Sequence, residues 1–334
     1  MANLGHQKFF DIFFQTHLSF ALSALAELGI ADLFPEGGTK TAEEIAKAAG
    51  CNADYLYRTL RLTASYGYFE ETTAGTFRLT PLASSMRADA PGTTRPAWRM
   101  FHRLLKTQSG LEEGLRTGNV PLHIVLGGPL FEYLPSHPEE AAIFDAGMTA
   151  IHGPETQAML NEYDFGDIGT LADIGGGNGS LLIEVLKAYP QMKGLLFDLG
   201  HVIGRARANV EGAGVAGRCQ VQEGSFFDGV PAGADAYMLR HIIHDWTDEQ
   251  SVGILKNCRE VMPANGRLLL VEAVVPPGNE RSISKDFDFT MLMYPGGKER
   301  TEAEYRALYQ ASGFELKGIT PTASVVSVIE GRPI

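Results

Sequence analysis

The segment Leu171-Ala-Asp-Ile-Gly-Gly-Gly-Asn-Gly-Ser180 constrains the fold more than any other part of the chain. A short apolar run ends in glycines, and Leu181 to Tyr189 then has the apolar spacing of a helix. A strand, a tight glycine turn and a helix form a cradle in which backbone N–H groups bind a ligand. A second apolar strand closes on Asp198, where a carboxylate can accept hydrogen bonds from a ribose. The carboxy-terminal half is therefore predicted to bind a nucleoside-containing cofactor.

The spacing of the glycines discriminates between cofactors. The dinucleotide fingerprint G-x-G-x-x-G needs its third glycine where this chain has Ser180, and no G-K-[ST] phosphate loop follows. The glycines stand instead at Gly175, Gly177 and Gly179, shortly after Asp173. A carboxylate in that place repels a pyrophosphate and attracts the ammonium of an amino-acid moiety. The pattern favours S-adenosylmethionine over NAD, with an ordinary strand-to-helix turn as the alternative.

Composition and charge exclude several classes of protein. The chain has 334 residues, 44% of them hydrophobic and 20% charged, which is typical of a soluble globular protein. A net charge of -12 and a pI of about 5.2 argue against broad contact with nucleic acids or anionic membranes. The three cysteines are scattered, no secretory signal is visible, and no apolar run approaches the roughly 20 residues that span a bilayer. We therefore expect a cytoplasmic protein that contacts neither nucleic acid nor membrane.

The first helix carries an unusually broad apolar stripe. Apolar residues recur at helical spacing from Phe9 to Leu28, with Gly29 as a plausible end. Several of them are aromatic, more than a peripheral helix needs. The stripe suits either a subunit interface or simple core packing.

A winged helix is predicted to follow. Thr41 and Glu44 form a capping box, a second helix runs from Ala53 to Ala64, and Tyr66 to Leu79 reads as a two-strand wing. Such a unit can bind DNA, but its candidate recognition helix has only two cations. Phosphate neutralisation needs more Lys and Arg, so a structural or dimerising role is favoured over a DNA-binding regulator.

From Leu171 onward, strands and helices alternate, which predicts a mostly parallel sheet with right-handed crossovers. The last two strands are joined by a short connection and must pair antiparallel, so the sheet is mixed at one edge. The seven strands are expected at Leu171–Ile174, Gly194–Leu199, Arg218–Gln222, Ala236–Leu239, Arg267–Val275, Phe314–Thr320 and Ser324–Glu330. Helices are expected at Leu181–Tyr189, near Val202–Glu211 and at Asp248–Met262, and the last two strands follow the segment Thr301–Ser312.

The chemistry-bearing residues cluster after the fourth strand of this sheet. His244 and Asp245 lie in the loop that precedes a helix capped by Thr247 and Gln250. Ligands bind at this edge of an open α/β sheet, and Glu272 and Glu299 belong to later segments that end there. One histidine and two acids on the same rim suggest a general base oriented by carboxylates.

Two other interpretations of this loop remain. His244 alone is compatible with a simple loop histidine, and His241, His244, Asp245 and Glu272 are compatible with a metal site. The metal is disfavoured because His241 and His244 are three residues apart, not in the i, i+4 arrangement on a helix that directs two imidazoles at one ion.

Four motifs in order resemble a known family. They are Leu171 to Asp198, Gly224-Ser-Phe-Phe-Asp228, His244-Asp-Trp246 and Gly296-Gly-Lys-Glu-Arg-Thr301. Together with the winged helix they are similar to the caffeic-acid-type, class I S-adenosylmethionine-dependent small-molecule O-methyltransferases, over nearly the whole chain. Gly-Ser-Phe-Phe-Asp with Arg240 is more similar to the bacterial natural-product members than to the plant ones.

The resemblance implies a Rossmann-like methyltransferase domain with a mixed seven-stranded sheet, preceded by a mainly helical winged-helix dimerisation domain. We assign residues 1–100 to the dimerisation domain, 101–155 to a helical linker that contributes to the substrate pocket, and 156–334 to the catalytic domain. The implied partners are a small aromatic substrate and a second copy of the chain, without a metal.

Site roles follow from the same resemblance. His244 matches the general base, with Glu272 and Glu299 as the acids that bracket it. The residues assigned to the cofactor are Asp173, Gly175, Gly177, Asp198, Ser225, Phe226 and Arg240. Those assigned to the substrate pocket are Trp98, Phe144, Met148, Asp245, Met291 and Tyr294.

Three departures from the plant pattern bear on the substrate. Ser225 replaces an aspartate that meets the adenine amine, Arg240 replaces a lysine, and Tyr294 replaces an asparagine near the substrate. The expected activity is therefore methyl transfer to a phenolic hydroxyl of a small aromatic metabolite that need not be a phenylpropanoid. The alternatives are a same-fold enzyme that uses the cofactor for hydroxylation, decarboxylation or cyclisation, and a winged-helix transcriptional regulator.

Overall fold

The computed structural model describes residues 2–334, with the side chains of residues 2, 3 and 201 left aside. The described chain divides into two compact units. The first contains the residues up to Glu112 together with Leu122–Gly153, and the second contains Glu113–Pro121 and Pro154–Ile334.

Helices dominate the chain before residue 163. They are α1 (Ala2–Glu27), α2 (Ala42–Ala49), α3 (Ala53–Ser65), α4 (Pro81–Ser84), α5 (Arg95–Leu104), α6 (Leu111–Thr117), α7 (Pro121–Leu126), α8 (Leu130–Tyr133) and α9 (Pro138–Glu162). Where a helix has a capping residue, that residue explains where the helix begins or ends. Thr41 and Glu44 form the expected capping box of α2, and Gly29, with φ 65°, follows the end of α1.

Helix α1 is half core and half exposed. Leu22 and Leu25 are buried in the first unit, whereas Phe9, Phe13 and their neighbours on the first turns are about half exposed. The segment Leu4–Glu27 has the length and hydropathy of a membrane-crossing helix, with 22% of its most apolar window buried. The expectation that no apolar run is long enough was therefore wrong on length and composition. The same features suit an apolar face that packs against protein.

The wing has one strand more than expected. Strands β2 (Phe69–Thr73) and β3 (Thr76–Leu79) form the predicted hairpin, with Gly75 at φ 75° in its turn. Strand β1 (Thr39–Thr41), just before α2, pairs antiparallel with β3. Three residues are too short to show the alternation by which a strand is recognised in a sequence.

The second unit is built on a seven-stranded sheet, as predicted. Its strands are β4 (Thr170–Ile174), β5 (Lys193–Asp198), β6 (Cys219–Glu223), β7 (Ala236–Arg240), β8 (Arg267–Ala273), β9 (Phe314–Pro321) and β10 (Val326–Pro333). Its helices are α10 (Ser180–Ala188), α11 (Gly200–Gly212), α12 (Asp248–Val261), α13 (Ile283–Met293) and α14 (Glu302–Ala311).

The strand order β6-β5-β4-β7-β8-β10-β9 determines where a ligand can bind. From β4 to β6 the chain moves outward in one direction, and it then returns to place β7 on the other side of β4. This reversal opens a crevice at the carboxyl ends of β4 and β7, the usual ligand site of such sheets. Strands β4 to β8 are parallel, whereas β10 is inserted antiparallel between β8 and β9.

The sheet is covered on both faces by apolar clusters that make it rigid. One cluster includes Leu182, Leu186 and Met238, and the other includes Leu239, Leu255 and Tyr305. The loops at the carboxyl edge are therefore attached to a rigid, well-packed sheet.

Candidate active site

The glycine turn after β4 has the backbone shape of a ligand cradle. Gly175, Gly177 and Gly179 have φ angles of 70°, 60° and 79°, a conformation that L side chains rarely adopt. At Gly175 a Cβ atom would lie 2.5 Å from Cδ1 of Ile242, so a side chain there would be strained by the backbone and would require Ile242 to move. The turn thus brings backbone to the crevice between β4 and β7.

Asp173 places a carboxylate beneath this turn. It is buried, and its Oδ2 atom has no hydrogen-bond partner among the described residues. Burial, with Arg240 acting in the opposite sense, raises the pKa of Asp173 to about 7. A buried, unpaired acceptor of this kind is completed by a cationic donor.

Asp198 ends β5 and faces the same turn. Its Oδ2 accepts a hydrogen bond of 2.7 Å from the backbone of Gly177, and its Oδ1 accepts one of 2.6 Å from its own neighbour Leu199. The carboxylate is thereby held beside the glycine loop, where the sequence predicts a ribose contact.

The Gly-Ser-Phe-Phe-Asp loop lies across from these residues. Phe226 approaches Gly175, and the amide of Asn257 donates to the Phe226 carbonyl at 2.8 Å. The ring of Trp246 packs edge-on against Phe227 with centroids 4.8 Å apart. Ser225 accepts a 3.2 Å bond from the backbone of Phe227. Sequence reasoning did not assign the supporting roles of Asn257 and Trp246.

The loop after β7 brings the predicted base and acids together. The Nδ1 atom of His244 lies 2.7 Å from Oε1 of Glu299 and 3.3 Å from Oε2 of Glu272. Its Nε2 atom lies 3.6 Å from Oδ1 of Asp245. His244, Glu272 and Glu299 are all buried, and Asp245 is partly so.

These carboxylates control the protonation of the imidazole. Burial by itself lowers the pKa of His244, but the surrounding acids, Glu272 first among them, outweigh it and raise that pKa to about 10. Burial raises the pKa of Glu272 to about 8 and that of Asp245 to about 6. At neutral pH His244 therefore retains its proton, whereas Asp245 is largely ionised.

Glu272 is held by backbone as well. Its Oε1 accepts hydrogen bonds from the backbone of Ile242 at 3.1 Å and of Ile243 at 2.9 Å. These bonds connect β8 to the loop after β7, so the position of Glu272 and the path of the loop are mutually dependent.

Arg300 fastens the His244 loop, and sequence reasoning did not identify it. The side chain is fully buried. It donates to the carbonyls of Ile243 at 2.9 Å and Trp246 at 3.0 Å, and its Nε donates to Asp248 at 2.9 Å. Its position two residues after Gly-Gly-Lys, next to Glu299, was the one available signal.

The neighbouring glycine completes this attachment. The backbone N–H of Lys298 donates to the His244 carbonyl at 2.8 Å. A Cβ atom on Gly297 would collide with that same carbonyl oxygen. The Gly-Gly-Lys-Glu-Arg motif is therefore required by close backbone approach as much as by its charges.

The structure does not support the spacing argument against a metal. His241, His244 and Glu272 place ligand atoms within 4.8 Å of one another, and the two imidazole centroids are 5.0 Å apart. Because Nδ1 of His244 already contacts Glu299, a metal would have to bind this imidazole through its other nitrogen, Nε2.

The residues assigned to the substrate pocket are spread over both units. Trp98 on α5 and Phe144 and Met148 on α9 are half-buried in the first unit, where Phe144 packs edge-on against Phe131. Met291 on α13 and Tyr294 at its end are half-buried in the second unit.

The second unit also has a pocket of about 530 Å³ next to Glu299. Glu299 and Lys298 form part of its wall, with Asp288 and Leu292 of α13 and Val120 of the 113–121 segment. Asp288 accepts a 3.0 Å hydrogen bond from the backbone of Glu299. Glu299 therefore lies between His244 and this pocket, which the sequence did not predict.

Comparison with known proteins accounts for this arrangement. The family model of the O-methyltransferase domain matches residues 109–315, and that of the O-methyltransferase dimerisation domain matches residues 10–89. The phenazine O-methyltransferase PhzM of Lysobacter antibioticus is 40% identical over 315 residues, covering 94% of this chain and 92% of that protein.

Solved structures agree in fold. The crystal structure of LaPhzM has a TM-score of 0.94 at 38% identity and covers 98% of this chain and 99% of that one. That of NcsB1, an O-methyltransferase from neocarzinostatin biosynthesis, contains S-adenosyl-L-homocysteine and 1,4-dihydroxy-2-naphthoic acid. It has a TM-score of 0.82 at 34% identity and covers 95% of this chain and 96% of that one. The chain thus belongs to the S-adenosylmethionine-dependent small-molecule O-methyltransferases, in the branch of the bacterial natural-product enzymes.

Proposed function

We propose that this enzyme methylates a hydroxyl group of a small aromatic metabolite, with His244 as general base and S-adenosylmethionine as methyl donor. The observation that carries the proposal is the buried 2.7 Å contact between His244 and Glu299 at the carboxyl end of β7. It lies on the same edge of the sheet as the glycine turn after β4. Base and cofactor cradle are thereby neighbours at the switch point of the sheet.

The residues around the glycine turn fit the proposed cofactor. The unpaired Oδ2 of buried Asp173 suits the ammonium of a methionine moiety, and the Asp198 carboxylate suits ribose hydroxyls. Gly175 and Gly177 have no side chains, so a ligand can approach the turn closely, although their N–H groups donate to Phe197 and Asp198. Ser225 and Phe226 are proposed to flank the adenine, and Arg240 is proposed to lie near the cofactor.

When bound, S-adenosylmethionine supplies an activated methyl group. The chain's part is to hold the acceptor hydroxyl and to receive its proton at Nε2 of His244, while Nδ1 stays bonded to Glu299. A phenol has a pKa of about 10, so its affinity for the proton is comparable with that of His244, whose pKa is also about 10. Proton transfer of this type contributes roughly 10²–10⁴ in rate, and orientation of the reactants contributes several kcal/mol more.

The acceptor is proposed to be a flat aromatic compound that carries a hydroxyl. The relatives' names refer to a phenazine and a dihydroxynaphthoic acid, both fused ring systems. Trp98, Phe144, Met148, Met291 and Tyr294 would supply apolar contacts to such rings. We further propose that the reaction needs no metal and that the protein is a cytoplasmic homodimer. We also propose that residues 1–100 form the dimerisation domain, 101–155 a helical linker that contributes to the substrate pocket, and 156–334 the catalytic domain.

The alternative functions have less support. In the candidate recognition helix α3, Arg58 pairs with Asp54 at 3.8 Å and Arg61 lies over the ring of Tyr57 at 5.3 Å. The helix offers only these two cations for phosphate contact, which disfavours a DNA-binding regulator. A same-fold enzyme without methyl transfer would not require the bracketed base.

The first experiment is calorimetric titration with S-adenosyl-L-homocysteine, with NADH as control. Binding of the former alone justifies incubation with S-adenosylmethionine and a panel of hydroxylated phenazines, naphthoates and benzoates, read by mass spectrometry. A mass gain of one methylene unit, unchanged by a chelator, supports the proposal. No methylated product from any panel member, despite cofactor binding, would favour the non-methylation reactions.

Asp173 provides a sharper test of the cofactor assignment. Because only the ionised carboxylate attracts an ammonium, and its pKa is about 7, affinity for S-adenosyl-L-homocysteine is expected to rise between pH 6 and 8. Asp173→Asn should weaken binding about tenfold or more and abolish this rise. An Asn variant with wild-type affinity would remove Asp173 from the site.

A further inference from the structure

The second oxygen of Glu272 faces two imidazoles. Its Oε1 is occupied by the backbone N–H groups of Ile242 and Ile243, whereas its Oε2 has no hydrogen-bond partner among the described residues. That atom lies 3.3 Å from Nδ1 of His244 and 3.9 Å from Nδ1 of His241. Since Glu272 is fully buried, these imidazoles are what can compensate its charge.

His241 is held in this place by unusual means. Among residues 2–334 it is the non-glycine residue with positive φ, at 53°. Such a conformation is unfavourable for a residue with a side chain and persists only where the surroundings enforce it. The Nε2 atom of the buried ring lies 2.8 Å from Oε2 of Glu155 on α9.

A purely structural role would be to anchor the end of α9. The adjacent pair already provides such an anchor, because Arg240 donates to the hydroxyl of Thr156 at 2.9 Å. An anchor does not require a histidine, nor does it require the other nitrogen of the ring to face Glu272. The orientation of both nitrogens is what a positioning role explains.

We propose that His241 is a positioning residue. Glu155 orients the His241 ring, and this ring in turn holds Oε2 of Glu272 close to His244. The proposal rests on the proposed function of His244 as base. Glu155, His241 and Glu272 then form a buried line of alternating acid and imidazole that ends at His244. The sequence analysis considered His241 only as a metal ligand.

The ionisable groups around His241 define the expected effect. They are Glu272 on β8, Glu155 on α9 (which also carries His152, three residues earlier), and His244 and Asp245 on its own loop. Without His241, the charge of Glu272 is compensated by His244 alone. The pair then binds its proton more tightly, and His244 becomes available as a base only at higher pH.

His241→Asn is the decisive variant, because asparagine tolerates the left-handed backbone and so preserves the loop. Its kcat at pH 7.5 is expected to fall about tenfold, since the rising limb of the pH profile should move up by about one unit. Affinity for S-adenosyl-L-homocysteine and the KM of the acceptor should stay within about twofold of the wild type. Glu155→Gln should shift the profile in the same direction by less, and the double variant should be no worse than His241→Asn.

Tyr163→Phe is the matched control, because it removes a 2.7 Å hydrogen bond to Glu330 just after α9 without touching an imidazole. Side-chain NMR of the histidines, with S-adenosyl-L-homocysteine bound, follows the titration of His244 without turnover.

A wild type that methylates nothing refutes the proposed function, while the change in the His244 titration measured by NMR still decides the role of His241. Wild-type kcat and titration in His241→Asn overturn the positioning role. So does a loss of activity that matches Tyr163→Phe and leaves the pH profile in place.

Discussion

At the scale of the residue, the central feature is one imidazole enclosed by three carboxylates. His244 gains basicity from Glu272, Asp245 and Glu299, which raise its pKa to about 10 in spite of its burial. The same acids make it protonated at neutral pH. His244 is thus a strong base, but only a small fraction of it is neutral and able to accept a proton at neutral pH. The strength of the base and its small neutral fraction can each be measured.

His244→Ala is expected to lower kcat by roughly 10²–10⁴, the usual contribution of a general base. Affinity for S-adenosyl-L-homocysteine should hardly change, because the glycine turn and Asp198 lie on other strands. Initial rates by mass spectrometry and calorimetry separate the two effects. The exposed His137→Ala is the control, and full activity in His244→Ala would exclude His244 as the base.

We expect kcat to increase with pH above neutrality. Only the neutral imidazole accepts a proton, and the pKa of His244 is about 10, so its neutral fraction grows about tenfold per unit between pH 7 and 9. We expect kcat to rise over this range and to level off only near pH 10. A flat profile would mean that the substrate complex already holds His244 neutral.

At the scale of the element, the His244 loop depends on a residue that contacts no ligand. Arg300 satisfies the carbonyls of Ile243 and Trp246 from a fully buried position. Loops at the carboxyl edge of a sheet carry the chemistry, and they need such supports to be precise.

Arg300→Met should lower the free energy of unfolding by about 3 kcal/mol, because it leaves buried carbonyls without donors. Urea denaturation followed by circular dichroism measures this. The control is Arg306→Met, which removes only an exposed i, i+4 pair with Glu302 and should cost less than about 0.5 kcal/mol. Equal losses in the two variants would show that the Arg300 bonds contribute little.

Elements were predictable where a local rule governs them. The capping boxes place the beginnings of α2 and α12, and short apolar runs give β4, β5, β7 and β8 to within two residues. Strand β1 escaped prediction because its three residues form only through pairing with β3. The insertion of β10 between β8 and β9 was likewise invisible, since a chain's local pattern does not encode its neighbours.

At the scale of the whole molecule, the exposed stripe of α1 bears on assembly. Phe9 stacks on Phe13 and Phe10 on Phe14, with centroids 5.7 Å and 5.8 Å apart, and each ring is about half exposed. The stripe falls largely within the matched dimerisation domain, residues 10–89. Burial of four such rings stabilises an interface by several kcal/mol.

Replacing Phe10 and Phe13 together by Glu is expected to give a monomer, because two buried charges oppose association. Light scattering after gel filtration should give the wild type at twice the chain mass of 36.2 kDa and the variant at that mass. Tyr55→Glu, which changes an exposed ring on α3, is the control and should stay dimeric. A variant that remains dimeric would place the interface elsewhere.

Short segments of the sequence were enough to predict the class of fold, the glycine turn and the acid at the tip of the second strand of the sheet, and to single out His244 as the proposed base. These follow from periodicity, turn chemistry and motif order, which are properties of short segments. It took the folded chain to show that His241 faces Glu272, that Arg300 bonds to the His244 loop, and that Glu299 borders the 530 Å³ pocket. Those facts depend on side chains that are distant in sequence and meet only when the parallel strands align their carboxyl ends. Packing and burial then determine protonation, which no local pattern can specify.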